Sequence, residues 1–499
     1  MKKLSAILAL TFIAAVHAEE KRGTEGVGLT IYMPQKNPNA YHYYDSNRAP
    51  DGYAVVKEWR FIELKKGAND VRYTDVAKWI DAASVHFNSL TDPAGTFIVE
   101  QNYEYDLVSA DKILEKYIDR PITLLRGDKD GNVTEETVEL LSVKNRDFVV
   151  KRSEQANPIE IFSGMPRMKL GELPGGLITR PTLFWKLLAK TPGRHLCKVA
   201  YETKGIGWKA SYTAVMKPGD AAVDLSGWVT IDNKSGATYK DAEIKLVAGD
   251  VHAAATRKSG TGGTGGGQGS MQSREGGFSM KDFFEFKLYT LARSSTVKDN
   301  SQKQLELFQP VVNVPARKLF VYFGLADVPP WFFGSPAVDK ELRIQSNSKV
   351  DIYVKFRNSA ANGLGIPLPG GDVRVYKEDP GDGSLEFIGE DTTDHAAVDE
   401  DVLLRLGNTF DVVGERKQKH FKCDYGARWM EEAFEITLRN HKTEPAEIIV
   451  REILYRWVNW EVIEKSADYE KIDSRTIHFP VTVPPDGESK VTYRVKYTW

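Results

Sequence analysis

The residues of this chain that could do chemistry are scattered rather than clustered. Beyond His17, the histidines are His42, His86, His195, His252, His395, His420, His441 and His478. No two stand at an HExxH or HxH spacing, which would bring two ring nitrogens to one metal. Cys197 and Cys423 are the only cysteines, too few for a thiolate metal site. They could bridge only if the fold brings their Cα atoms within about 7 Å, so a disulfide and two separate thiols both stay open. No serine sits in a GxSxG elbow. Hard oxygen ligands are dense in one place, Glu378 to Asp401, through Asp379, Asp382, Glu390, Asp391, Asp394, Asp399 and Asp401. Calcium takes about six to eight such ligands, often from loops. A solvated loop and strand face accounts for the same run without an ion. Glu390, Asp391 and Asp394 beside His395 are the acids a hydrolase could use, provided the fold gathers them.

Three other stretches imitate ligand sites. The run SGTGGTGGGQGSMQSREGG, residues 259–277, has the glycines of a phosphate loop. No Lys-Ser/Thr pair follows it, and the next segment, FFEFKLYTLARSS, reads as a strand rather than a phosphate-facing helix, so a mobile surface loop is expected. The turn DKDGN resembles the start of a calcium loop, but Gly131 comes two places early and no Glu closes the loop; a hairpin turn is expected. Tyr41, Tyr43 and Tyr44 could form a stacking platform for a sugar or base, or simply pack over a sheet edge. The residues therefore single out no catalytic, cofactor-binding or metal set, and no cofactor is expected.

The elements that must position these residues are mainly strands. Short apolar-polar alternations separated by Gly, Asn, Asp and Pro recur along the chain. The clearest run spans Gly207 to Gly249. Trp208, Ala210, Tyr212, Ala214 and Met216 alternate with polar residues, as do Val223, Leu225, Val229 and Ile231, then Ala242, Ile244 and Leu246. This predicts a three-strand unit with one apolar face. At the C-terminal end Val491, Tyr493, Val495 and Tyr497 share a face. One helix stands out, SADKILEKY from Ser109 to Tyr117, with Ser109 as N-cap and Ile113, Leu114 and Tyr117 on one stripe.

At 499 residues the chain is expected to hold several domains. The boundaries suggested are a signal segment 1–18, an N-terminal β-rich region 19–180 with a small helix-plus-meander insert at about 101–155, a central β domain 181–345, and a C-terminal β-sandwich-like domain 346–499. The fold class expected is mainly β, in antiparallel β-sandwich-like domains. Lys2 and Lys3, the apolar run Leu4 to Val16 and Val16-His17-Ala18 have the form of a cleaved secretory signal, so an exported, periplasmic or extracellular protein is expected. No later run is apolar and long enough to span a bilayer. A net charge of −2, from 67 basic and 69 acidic residues, provides no field for holding nucleic acid.

The segments GWKASYTAV, LSGWVTIDNKSGATYKDAEIKLVAGDV, LYTLARSSTVKDNSQKQLELF, NSAANGLGIPLPGGDVRVY, FIGEDTTDH and VTVPPDGESKVTYRVKYTW, spread over about Pro181 to Trp499, resemble the bacterial family known as domain of unknown function 4139. Some of its members are labelled mucoidy inhibitor-like. The resemblance implies an exported all-β protein and carries no catalytic residues with it. Its motif residues Trp208, Trp228, Asn233, Gly236, Gly249, Asp250, Gly363, Pro367, Pro369 and Gly371 are of types that form turns and pack sheets. The function expected is a non-catalytic envelope or secreted β-protein acting through contacts with an envelope protein or surface polymer. The alternative is a hydrolase of envelope glycan or peptide.

Overall fold

The computed structural model describes residues 23–34, 49–104, 110–127, 133–144, 147–152, 158–172, 178–249, 278–284, 286–325 and 335–499. The signal segment, the tyrosines at 41 to 44, the DKDGN turn, Ser109, Asp250 and the glycine-rich stretch lie outside the described residues. The chain is mainly β, with one α-helix among the described residues. Pairing is mostly antiparallel. Parallel pairs among the described residues include Gly26–Tyr32 with Tyr239–Ala248, Ile206–Met216 with Gly371–Glu378, and Ser301–Phe323 with Ala446–Ile453.

The chain groups into two compact units, each assembled from separated segments. Unit 1 takes residues up to Trp208, then Ile231–Lys258 and Leu288–Lys303. Its larger sheet runs in the order Tyr239–Ala248, Gly26–Tyr32, Tyr53–Leu64, Gly193–Lys204, Ile80–Ser89. A three-stranded sheet, Gly67–Thr74, Thr182–Ala189 and Thr96–Glu104, covers it. Trp185 joins the layers: its ring stacks on Tyr73 at 4.8 Å and meets Phe87 of the larger sheet at 5.5 Å. Full burial of such a ring removes a large apolar area from water, which makes the sandwich worth closing.

Also within unit 1, the helix Ala110–Lys116 sits with a five-stranded antiparallel sheet in the order Met168–Lys169, Arg120–Gly127, Val133–Lys144, Asp147–Arg152, Ile159–Ser163. Leu114, Tyr117, Ile122, Leu124, Val138, Leu140, Phe148 and Val150 form its own core. Alternation explains the strands: Val138 and Leu140, or Phe148 and Val150, fall two apart and share the inner face.

Unit 2 contains Lys209–Thr230 and Gln304–Trp499 among its segments. Its strands follow the order Leu385–Thr393, Gly371–Glu378, Ile206–Met216, Ala222–Asn233, Ser301–Phe323, Lys349–Arg357, Asp401–Asp424, Trp429–Asn440, Gly487–Thr498, Trp460–Lys465. Ala446–Ile453 and Thr476–Val483 branch from Ser301–Phe323. Phe434, Ile436, Ile448, Val450, Phe479, Tyr493 and Tyr497 lie in one buried cluster between these strands.

The structure corrects two expectations. The Pro- and Gly-rich stretch 157–190 reads in the sequence as a connection rather than core, but Thr182–Ala189 is the central strand of the three-stranded sheet, with Leu183, Trp185 and Leu187 buried. The three segments of Gly207 to Gly249 do not make a single three-strand sheet. The first two are neighbours, whereas Tyr239–Ala248 pairs in parallel with Gly26–Tyr32. The stretch between them is no simple hairpin: the Asn233 side-chain amide donates to the carbonyls of Ala237 and Lys298 at 2.9 Å each, and Gly236, at φ 84°, donates its N–H to Asp299. The segment thus leaves one sheet and enters another.

Candidate functional site

A candidate site with aromatic and charged lining is an open cleft of about 460 Å³ on unit 1, built by Tyr53, Lys78, Trp79, Asp81, Tyr103, Glu202 and Lys204, with Ala49, Ile80 and Thr203 between them. Tyr53 begins one central strand and Glu202 to Lys204 end its neighbour, with Lys204 opposite Tyr53. Asp81 faces Glu202 from the next strand. Glycine permits the tight approach at the mouth: Gly52 has φ 104°, and a Cβ there would stand 2.6 Å from the Ile206 carbonyl. Gly205, at φ 78°, donates its N–H to the Gly52 carbonyl at 3.2 Å.

Trp79 is held by backbone bonds: its carbonyl accepts from Lys204 N–H at 3.1 Å, and Lys78 N–H donates to the Ser235 carbonyl at 2.8 Å. Tyr103 reaches in from the covering sheet and donates its hydroxyl to the Lys78 carbonyl at 2.9 Å. Tyr32 and Tyr53 rings meet at 4.9 Å. Burial pushes the Tyr53 phenol well above its ordinary pKa, with the hydrogen bond to Glu202 and the Glu202 charge adding to the effect. The phenol therefore stays a donor at neutral pH, orienting the Glu202 carboxylate. Asp81 accepts Ala83 N–H at 2.9 Å. The Lys78 ammonium lies 4.8 Å from the centre of the Trp79 ring, within cation-π range. The cleft offers aromatic faces, two carboxylates and two ammoniums.

The acids singled out in the sequence are spread apart. Glu390 and Asp391 are consecutive on a strand and project to opposite faces. Glu390 pairs with Arg374 at 3.5 Å, while Asp391 accepts N–H bonds from Thr392 and Arg405 at 2.8 and 2.7 Å. His395, exposed beyond the strand end, accepts Gly370 N–H on Nδ1 at 3.0 Å. Asp379 and Asp382 cap a turn, accepting N–H bonds from Gly381 and Ser384, and Asp401 pairs with Lys355 at 2.8 Å. Among the described residues no three His, Cys, Asp or Glu stand together as a metal site. Cys197 and Cys423 are free thiols; burial pushes the Cys197 thiol up to about 12.

Two buried constellations have catalytic ingredients without access. His195 stands 3.1 Å from Ser89 Oγ through Nδ1 and 3.0 Å from the Thr191 carbonyl through Nε2. A carbonyl can only accept, so Nε2 carries the proton and Nδ1 accepts from Ser89. That is the polarity of a nucleophile and its base, but both side chains are shut off from solvent and Ser89 Oγ also accepts Asp92 N–H. In unit 2, Glu452 accepts from Arg416 Nε at 3.1 and 3.0 Å and from Tyr493 at 2.5 Å. Glu432 accepts from Arg456 Nε at 2.6 Å and Tyr497 at 3.0 Å. Burial alone would lower the Arg416 pKa, but the Glu452 charge overcomes this and raises it, keeping the ion pair charged. These arrays hold strands together.

The cleft residues are absent from the sequence expectations. They come from four distant segments, and none breaks a local pattern. The buried glutamates, by contrast, had a visible sign. Glu432 occupies an inward place in the alternation Met430, Phe434, Ile436, Leu438, and Glu452 does so after Ile448 and Val450. No protein-family model matches the chain, and no curated protein is similar to it at a significant level.

Proposed function

We propose that this is an exported, non-catalytic β-protein of the cell envelope or secreted space, acting by contact, with the unit 1 cleft engaging a surface polymer. The observation that carries the reading is the open aromatic cleft itself: Tyr53, Trp79 and Tyr103 present rings beside carboxylates already held by fixed partners. Concave sites lined by aromatic groups with a few placed polar ones are where ligands bind. The signal-like segment Met1 to Ala18 supports export to a periplasm or beyond. The resemblance to the domain of unknown function 4139 family supports the same reading and supplies no activity.

The test is a photo-crosslinking residue placed at Lys204 in cells making the protein. Capture of envelope polymer, lost when Trp79→Ala is added, supports contact function. Turnover of purified wall material by the wild-type protein, without an adduct, replaces it with the hydrolase reading.

A further inference from the structure

We propose that the polymer taken by the unit 1 cleft is a neutral glycan, its sugar rings stacked on the half-buried aromatic rings of the cleft, rather than a polyanion or an extended peptide; this rests on the contact function above. Three observations select that class. The first is charge. Lys78 and Lys204 balance Asp81 and Glu202, so the lining sums to zero and sets up no field that would concentrate a polyanion. Hydroxyl groups both donate and accept, and so suit both signs at once without carrying charge.

The second is the backbone. An extended peptide binds a sheet by adding to free N–H and C=O groups at an edge. Here Thr203 pairs with Ala54 on one side and Ile80 on the other, Lys204 N–H is taken by Trp79, and the Lys78 N–H and carbonyl are taken by Ser235 and Tyr103. Recognition must therefore run through side chains. The third is the rings. Their π-faces carry negative charge density and attract the weakly positive C–H groups of a pyranose ring face. The Lys78 ammonium over Trp79 shows that this ring accepts positive charge, and because Lys78 is exposed on a flexible stem it can yield the place. About 460 Å³ lies in the range of small-ligand sites.

The experiment uses the purified full chain with neutral probes (cellohexaose, laminarihexaose and chitohexaose) and with the polyanionic hexagalacturonate, read by calorimetry. At least one neutral probe is expected to bind with little dependence on salt. Trp79→Ala and, as an isosteric second variant, Glu202→Gln are each expected to weaken it about tenfold, with melting curves showing both folded. Tighter binding of hexagalacturonate, weakening as salt rises, overturns the proposal; so does failure of every neutral probe. If the Lys204 crosslink still captures polymer while no neutral probe binds, the ligand class falls and the contact function stands.

Discussion

Arg416 and Glu452 show at the level of single residues how this chain keeps charge inside a β core. Both are essentially inaccessible, and the guanidinium lies 3.5 Å from the centre of the Phe434 ring. One Arg416 nitrogen, Nη1, is buried without a partner among the described atoms, as is Nη2 of Arg456. Buried ion pairs are not strong stabilisers in themselves, because desolvation offsets much of the attraction. Removing one partner is a different matter, since it strands the other charge. Arg416→Met is therefore expected to destabilise unit 2 by about 3–5 kcal/mol in urea unfolding, and adding Glu452→Gln to recover most of that loss. An equal loss in the double variant would show that the lost packing on Phe434, not the stranded carboxylate, sets the cost. This pair was half legible in the sequence: a glutamate at an inward place in a strand announces a buried charge, but its arginine lies far away in the chain and could not be named.

At the level of elements, turns show which interactions alternation leaves unspecified. Pro218-Gly219-Asp220 reads as a turn in the sequence and is one, with Gly219 at φ 86° and Asp220 at φ 58°. Its electrostatics come from elsewhere. The Asp220 carboxylate accepts from Lys377 at 2.5 Å and from Lys318, on two other strands. Burial opposes ionisation of Asp220, but the hydrogen bonds and charges of the two lysines prevail and hold the carboxyl below its ordinary pKa. A depressed folded pKa contributes stability above the unfolded value of about 3.9, and this is lost as pH falls through the folded value. Asp220→Asn is thus expected to melt lower than wild type at pH 7, by roughly 2–4 °C for about 1 kcal/mol. The gap should close below pH 4, and a gap that persists there would assign the effect to turn geometry. Two glycines belong at this scale too. Gly363 closes a short 3₁₀ turn at φ 81°, and a Cβ on Gly371 would stand 2.3 Å from the Ala210 carbonyl oxygen.

At the level of the whole molecule, the export reading predicts a mature protein beginning at Glu19. Mass spectrometry of the N-terminal peptide from envelope and culture fractions checks this, and an intact Met1 in those fractions would contradict it. Most strand positions and faces, though not those of Thr182–Ala189 in its Pro- and Gly-rich surroundings, were determined by the sequence alone, as were the helix 110–116 and the inner placement of Tyr493 and Tyr497, because a period of two or of 3.6 is set by neighbouring residues and the water they avoid. Strand partners were not, because alternation says which face is apolar and not which strand lies alongside. Hence only the tertiary structure could send Tyr239–Ala248 to Gly26–Tyr32 and enclose Ser89 with His195. It alone also brought Tyr53, Trp79, Tyr103 and Glu202 to one cleft, since those contacts are long-range and leave no periodic trace in the chain.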